Sequence, residues 1–123
     1  MATRDLTQQN FETTVSEGIV FVDFWAAWCG PCRAFAPTFE RASEQHSDIV
    51  FGKVDTEAEQ QLSVQFSITS IPTLMIFRDG IPVYAQPGAL PAKQLDQLIQ
   101  RARDLDMDDV RKQHVEHTTA KSS

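Results

Sequence analysis

The sequence predicts an α/β fold in which a mixed sheet is covered by helices on both faces. Three observations lead there. The run Ile19-Val20-Phe21-Val22-Asp23-Phe24-Trp25 is apolar almost without a break, as in a central strand buried on both sides. Stretches of helical spacing then alternate with short β-compatible stretches, the order that joins parallel strands through crossover helices. Asp79-Gly80 is a hairpin signal, which adds an antiparallel pair at one edge.

Taken in order, residues 6–15 carry Leu6, Phe11 and Val15 at helical spacing, with Thr7 placed to cap a short helix and Glu17-Gly18 to end it. A short strand over residues 3–5 is only faintly signalled. The apolar run at 19–25 follows, and Asp23 is the anomaly within it, because a buried carboxylate is costly unless paired, hydrogen-bonded or neutralised. Residues 32–45 place Phe35, Phe39 and Ala42 on one helical face, and Pro37 is expected to kink that helix without dividing it. Residues 50–55 read as a strand and residues 56–66 as a helix with Ala58, Leu62 and Phe66 inward. A loop through Ile71-Pro72 leads into a strand at 73–77, and Val83-Tyr84-Ala85 returns beside it. From Pro91, near a helix start, Leu95, Leu98, Ile99 and Ala102 form one apolar stripe. The composition changes at Asp104, and fraying is expected beyond about His114. One domain over residues 1–109 and a flexible tail over 110–123 are the expectation, with no internal repeat or linker.

At 123 residues the chain is long enough to bury a core without staples. Its formal net charge of −6 disfavours nucleic acid and anionic membrane, whose phosphates attract basic surfaces. No secretory h-region and no run of membrane-spanning length is visible, so a cytoplasmic protein is expected. In that reducing compartment a close cysteine pair points to catalysis or metal binding more than to a structural staple.

The chain's only two cysteines stand in Trp28-Cys29-Gly30-Pro31-Cys32, where a strand delivers the chain to a turn and a helix leaves it. Exchange chemistry needs a thiolate, and unpaired N–H groups at a helix start favour that anion on Cys29. Cys29 is then the candidate attacker of a substrate disulfide and Cys32 the thiol that resolves the mixed disulfide. Gly30 permits a tight passage and Pro31 stiffens it, which keeps both sulfurs close in either redox state. Two plainer readings compete. A structural disulfide here would close a loop too short to stabilise much. A zinc half-site would need two more ligands; His114 and His117 are the paired candidates, but most of the chain intervenes where zinc fingers place about 12–15 residues.

Asp23 has two compatible readings. One is a carboxylate satisfied by a neighbour such as Lys53; the other is a general base of raised pKa that takes the Cys32 proton. Trp25 reads as core packing. Trp28 reads either as packing or as a shaper of the exposed surface beside Cys29. Pro72 reads as a strand starter, and a cis bond before it is not visible in a sequence.

The motif Trp28-Cys29-Gly30-Pro31-Cys32 resembles the thioredoxin family. The likeness continues through Val22-Asp23-Phe24-Trp25-Ala26, Lys53-Val54-Asp55, Ile71-Pro72-Thr73-Leu74, Phe77-Arg78-Asp79-Gly80 and Gly88-Ala89-Leu90, and covers about residues 5–103. The resemblance implies the thioredoxin fold, a mixed sheet of about five strands flanked by about four helices, and the activity of a protein-disulfide reductase. It implies Cys29 as attacking thiol, Cys32 as resolving thiol, Asp23 as the buried carboxylate and Lys53 as its partner. It also implies Pro72 as a cis-proline facing the cysteines, and Trp28, Gly30, Pro31, Ile71, Pro72, Gly88 and Ala89 as a substrate surface. An extended substrate would pair there with the Ile71 backbone. No metal or bound cofactor is implied; reducing equivalents come from NADPH through a separate thioredoxin reductase. The implied partners are that reductase and oxidised substrate proteins, with no nucleic acid or membrane, and the chain is expected to be a monomer. Two departures stand out: the cysteine-rich zinc module of one bacterial type is not present, and the last helix runs on into about twenty extra residues. An oxidase or isomerase is the nearest alternative, but those relatives usually carry a histidine where this chain has Gly30-Pro31. A binding module that uses the same surface without chemistry is the alternative of another class.

Overall fold

The unbroken apolar run at 19–25 is the central strand of the sheet. The computed structural model describes residues 2–122, with side chains through residue 114. Its elements are β1 (Thr3–Asp5), α1 (Phe11–Val15), β2 (Ile19–Trp25), α2 (Gly30–Gln45), β3 (Val50–Asp55), α3 (Gln60–Gln65), β4 (Thr73–Arg78), β5 (Ile81–Pro87), α4 (Ala92–Asp104) and α5 (Met107–Ser122). The five strands lie in the order β1-β3-β2-β4-β5. β1, β3 and β2 are parallel, while β4 runs antiparallel to β2 and β5 antiparallel to β4. This is the mixed sheet that the sequence predicts, and the faintly signalled first strand is present.

Alternation along the strands divides the core in two. Phe21, Phe51, Leu74 and Ile76 pack with Phe35, Phe39, Leu95 and Ile99 of α2 and α4. On the opposite face Val20, Val22, Phe24, Val54, Met75 and Phe77 pack with Phe11 of α1 and Leu62 of α3. The sheet is thus buried on both sides, which is why β2 lacks a polar face. Gly52 in β3 is required by a close approach: a Cβ there would overlap Cδ1 and Cγ of the buried Leu6.

Four boundaries differ from the sequence expectation. The first helix begins at Phe11, not near Leu6, because the Leu6 N–H donates to the Lys53 carbonyl at 2.8 Å and extends the sheet contact of β1. Thr7 does not cap it; its own N–H donates to Asn10 Oδ1 at 2.7 Å. α3 begins at Gln60 because Asp55 Oδ1 accepts from the N–H groups of Glu57 at 2.9 Å and Ala58 at 3.4 Å, a side-chain turn that occupies the expected first turn of helix. β5 runs longer than Val83-Tyr84-Ala85, and it carries Pro82 and Pro87 because an edge strand tolerates residues without a donor. Finally, the last helix is two. α4 stops at Asp104, and Arg78 Nη1 donates to the Ala102 carbonyl at 2.6 Å. Asp106 Oδ1 then accepts from the N–H groups of Asp108 and Asp109, at 3.1 and 3.3 Å, to start α5. The α5 backbone is helical to Ser122, beyond the turn or two anticipated.

Candidate active site

β2 ends at Trp25, and four residues later Cys29 occupies the N-cap of α2. Cys29 is extended, at φ −83° and ψ 115°, and its Sγ accepts a hydrogen bond from the Cys32 N–H at 3.1 Å. Pro31 sits in the first turn, where its missing donor costs nothing and its fixed φ suits the helix. The motif thus aims a free backbone N–H at the Cys29 sulfur, the arrangement that stabilises a thiolate. Cys29 and Cys32 are joined as a disulfide with Cα atoms 5.2 Å apart. Both cysteines are buried, whereas Gly30 and Pro31 are exposed and nothing lies within 4 Å of a Cβ placed on Gly30.

The second wall comes from the loop before β4. The Ile71–Pro72 peptide is cis. The Ile71 carbonyl oxygen lies 3.7 Å from Cys29 Sγ, and the Ile71 side chain packs with Trp25 against Ala26, Cys29 and Cys32. The third wall comes from the end of β5: the Gly88 N–H donates to the Pro72 carbonyl at 2.8 Å. That bond uses Gly88's only backbone donor inside the protein, so Gly88 shapes the rim without offering a donor to a substrate. Gly88 holds φ +110°, and Ala89 beside it is exposed. Trp28 stands 67% exposed at the rim, so it is not a core residue. The expected surface residues Trp28, Gly30, Pro31, Ile71, Pro72, Gly88 and Ala89 therefore come from three separate loops around the dithiol.

Asp23 lies two residues before Trp25 on the same face of β2 and is 1% exposed. Neither carboxylate oxygen has a hydrogen-bond partner. Burial pushes its pKa up to about 7, a rise that the positive charge of Lys53 partly opposes. Lys53 is its register neighbour on β3, yet among the described residues no ion pair or hydrogen bond reaches the Asp23 carboxylate. Instead Lys53 Nζ lies 4.8 Å from the centroid of the Trp25 ring. The paired carboxylate expected at Asp23 is thus a buried, unpaired one that feels its lysine only through space.

Sequence reasoning missed two participants. Glu57 was given no role, but its Oε1 accepts from the Trp28 Nε1–H at 2.6 Å. The available signal was Asp55-Thr56-Glu57 directly after a strand, a turn that returns the third residue toward that strand's end. Trp25, assigned to packing alone, also receives the lysine. Among the described residues no group of three or more His, Cys, Asp and Glu side chains could hold a metal ion. The His117 side chain, one of the two considered for zinc, lies outside the described residues.

A disulfide at the N-terminus of a helix, in a sheet of this topology and with the Ile71 carbonyl beside it, is the arrangement of a disulfide oxidoreductase. The thioredoxin family model matches residues 2–101. A Streptomyces coelicolor protein that carries a thioredoxin name is 55% identical over 112 residues, which are 90% of this chain and 84% of that one. The thioredoxin of Bacillus subtilis is 36% identical over 102 residues, 82% of this chain and 98% of that one. Among solved structures, a thioredoxin of Plasmodium falciparum superposes with a TM-score of 0.75 at 36% identity, covering 80% of this chain and 98% of the other. A mutant thioredoxin from Halobacterium salinarum superposes with a TM-score of 0.78 at 30% identity, covering 84% and 92%. The chain belongs to the thioredoxin family. It is a dithiol–disulfide oxidoreductase of that family, which works without a bound cofactor.

Proposed function

We propose that the protein reduces disulfides of other proteins, with Cys29 as nucleophile, Cys32 as resolving thiol and Asp23 as proton acceptor. The observation that supports this reading best is the Cys32 N–H aimed at Cys29 Sγ at 3.1 Å. In the reduced protein the same donor meets a thiolate, and a hydrogen bond to the charged form lowers a pKa. The Cys29 thiolate attacks one sulfur of a substrate disulfide, and the other leaves as a thiolate. The Cys32 thiol gives its proton to Asp23 and attacks Cys29 Sγ, which releases the second substrate sulfur. Two electrons pass to the substrate, and the Cys29–Cys32 disulfide remains.

Lys53 acts on Asp23 through its charge. Trp28, Gly30, Pro31, Ile71, Pro72, Gly88 and Ala89 form the surface on which an extended substrate segment lies, with the Ile71 backbone as its pairing edge. A separate thioredoxin reductase, fed by NADPH, returns the disulfide to the dithiol. The partners are that reductase and oxidised proteins, and neither nucleic acid nor membrane takes part. No described helix is long and apolar enough to cross a membrane. A monomer in the cytoplasm is the setting this function suits, with residues 1–109 as the working domain and 110–123 as a C-terminal extension outside it.

The test is insulin reduction driven by dithiothreitol, and then by NADPH with a bacterial thioredoxin reductase. Turnover with both donors is expected. Turnover with neither, by a protein that still binds oxidised partners, would favour a binding module.

A further inference from the structure

Asp23, Trp25, Lys53 and Asp55 lie on one side of the β2–β3 ladder, because Asp23 is opposite Lys53 and Trp25 opposite Asp55 in parallel register. The Lys53 ammonium, on its flexible stem, therefore has three candidate neighbours on this ladder, and the exposed Asp5, its register partner on β1, is a fourth on the other side. Asp55 Oδ1 is engaged by the N–H groups of Glu57 and Ala58. Asp23 offers two oxygens that no donor meets. The ammonium nevertheless sits over the Trp25 ring, 4.8 Å from its centroid and inside the reach of a cation–π contact, about 6 Å. Trp25 is itself held: its carbonyl accepts from the Thr56 N–H at 2.9 Å and Oγ1–H at 3.0 Å, and its ring packs against the cysteine cluster.

We propose that Trp25 is a positioning residue for the exchange reaction: its ring face holds the Lys53 ammonium off Asp23, and so leaves the buried carboxyl free to take up and release a proton. This rests on the reading of Asp23 as proton acceptor. Contact with the ammonium would instead fix Asp23 as a weakly basic anion, since an opposite charge within about 4–6 Å lowers an aspartate pKa by about 1–3. The groups facing Asp23 are few. β3 supplies Lys53 and β4 supplies the uncharged Leu74 opposite it, while the start of α2 supplies Cys29 and Cys32 near Trp25. Lys53 is the one charge that moves the Asp23 pKa.

The experiment is an NMR titration of the Asp23 side-chain carboxyl in the oxidised full-length protein, where the cysteines do not titrate. Trp25→Leu is expected to move the Asp23 midpoint at least about one pH unit lower as the ammonium settles on the carboxylate. In a Lys53→Met background the same substitution is expected to have no such effect. Trp25→Phe, which keeps a ring face, is expected to titrate as the native chain does. Ring-fluorinated tryptophan in a Trp28→Phe chain keeps the shape of the indole and drains its face; it is expected to repeat the fall, and it decides the matter if Trp25→Leu does not fold. An unchanged midpoint in both the leucine and the fluorinated proteins would overturn the proposal. So would an equal displacement with and without Lys53, since burial alone would then be the cause. The titration reads the carboxyl directly, so its failure is distinct from failure of the proton-acceptor reading, which would appear as native resolution rates in Asp23→Asn.

Discussion

The Trp28 indole donates through Nε1 to Glu57 Oε1 at 2.6 Å, across 29 residues of chain. Glu57 is itself fixed, because Asp55 Oδ1 accepts its N–H at 2.9 Å. An indole that is 67% exposed is thereby held as a rigid platform beside Cys29. Because a typical net hydrogen bond is worth about 1 kcal/mol, Glu57→Ala is expected to leave global stability within about 1 kcal/mol of native. Trp28 fluorescence should depolarise faster, and KM for a protein disulfide should rise with kcat little changed. Glu57→Gln, which keeps an acceptor, should behave as native in both measurements.

The Asp23 pKa makes stability depend on pH with a definite sign. The group titrates at 3.8 when free and at about 7 in the fold. Between those values the native protein holds a proton that the unfolded chain has released, so stability falls as pH rises through this window. The contribution is fully present below the lower value and lost above the upper one. About three pH units correspond to roughly 4 kcal/mol. Urea melts of the oxidised protein should show Asp23→Asn gaining about that much on the native chain between about pH 4 and pH 8. Parallel curves for the two proteins would show that Asp23 is already ionised in the fold.

Gly52→Ala places a methyl against Cδ1 and Cγ of Leu6, which is 2% exposed and has little room to yield. Overpacking of this kind costs about 1–3 kcal/mol. The loss should appear in thermal or urea unfolding while insulin reduction at low temperature is retained, because the clash lies on the face away from the dithiol.

Gly88→Ala meets open space, with nothing within 4 Å, but the backbone there holds φ +110°. That conformation costs an alanine about 1–3 kcal/mol. The backbone can relax only by disturbing the Gly88–Pro72 hydrogen bond, so a few-fold rise in KM for protein substrates is expected together with the loss of stability. An unchanged KM would place the substrate contact elsewhere on the rim.

Much of this was legible in the chain because it is written in local terms. The unbroken apolar run at 19–25 reads as a strand covered on both faces, and the helix after the cysteines follows from the spacing of Phe35, Phe39 and Ala42, although it starts at Gly30, two residues before the expected position. Asp23 stood out by chemistry alone. What was not legible depends on long-range placement. Leu6 has the spacing of a helical residue, but its N–H is taken by β3. Residues 56–59 have helical composition, but the Asp55 side chain captures their donors first. The separation of α4 from α5 depends on Arg78, a residue of another element. Lys53 was expected to pair with Asp23 as a residue of the neighbouring strand and from the family resemblance; that the Trp25 ring competes for the ammonium depends on three side-chain positions at once.

The direct trial of the exchange chemistry is capture of the intermediate. Reduced Cys32→Ser, mixed with an oxidised protein substrate and analysed by mass spectrometry after acid quench, should accumulate a disulfide-linked adduct through Cys29, while Cys29→Ser should accumulate none. Adducts held by Cys32 in the Cys29→Ser protein, and missing from Cys32→Ser, would contradict the assignment of Cys29 as the attacking sulfur.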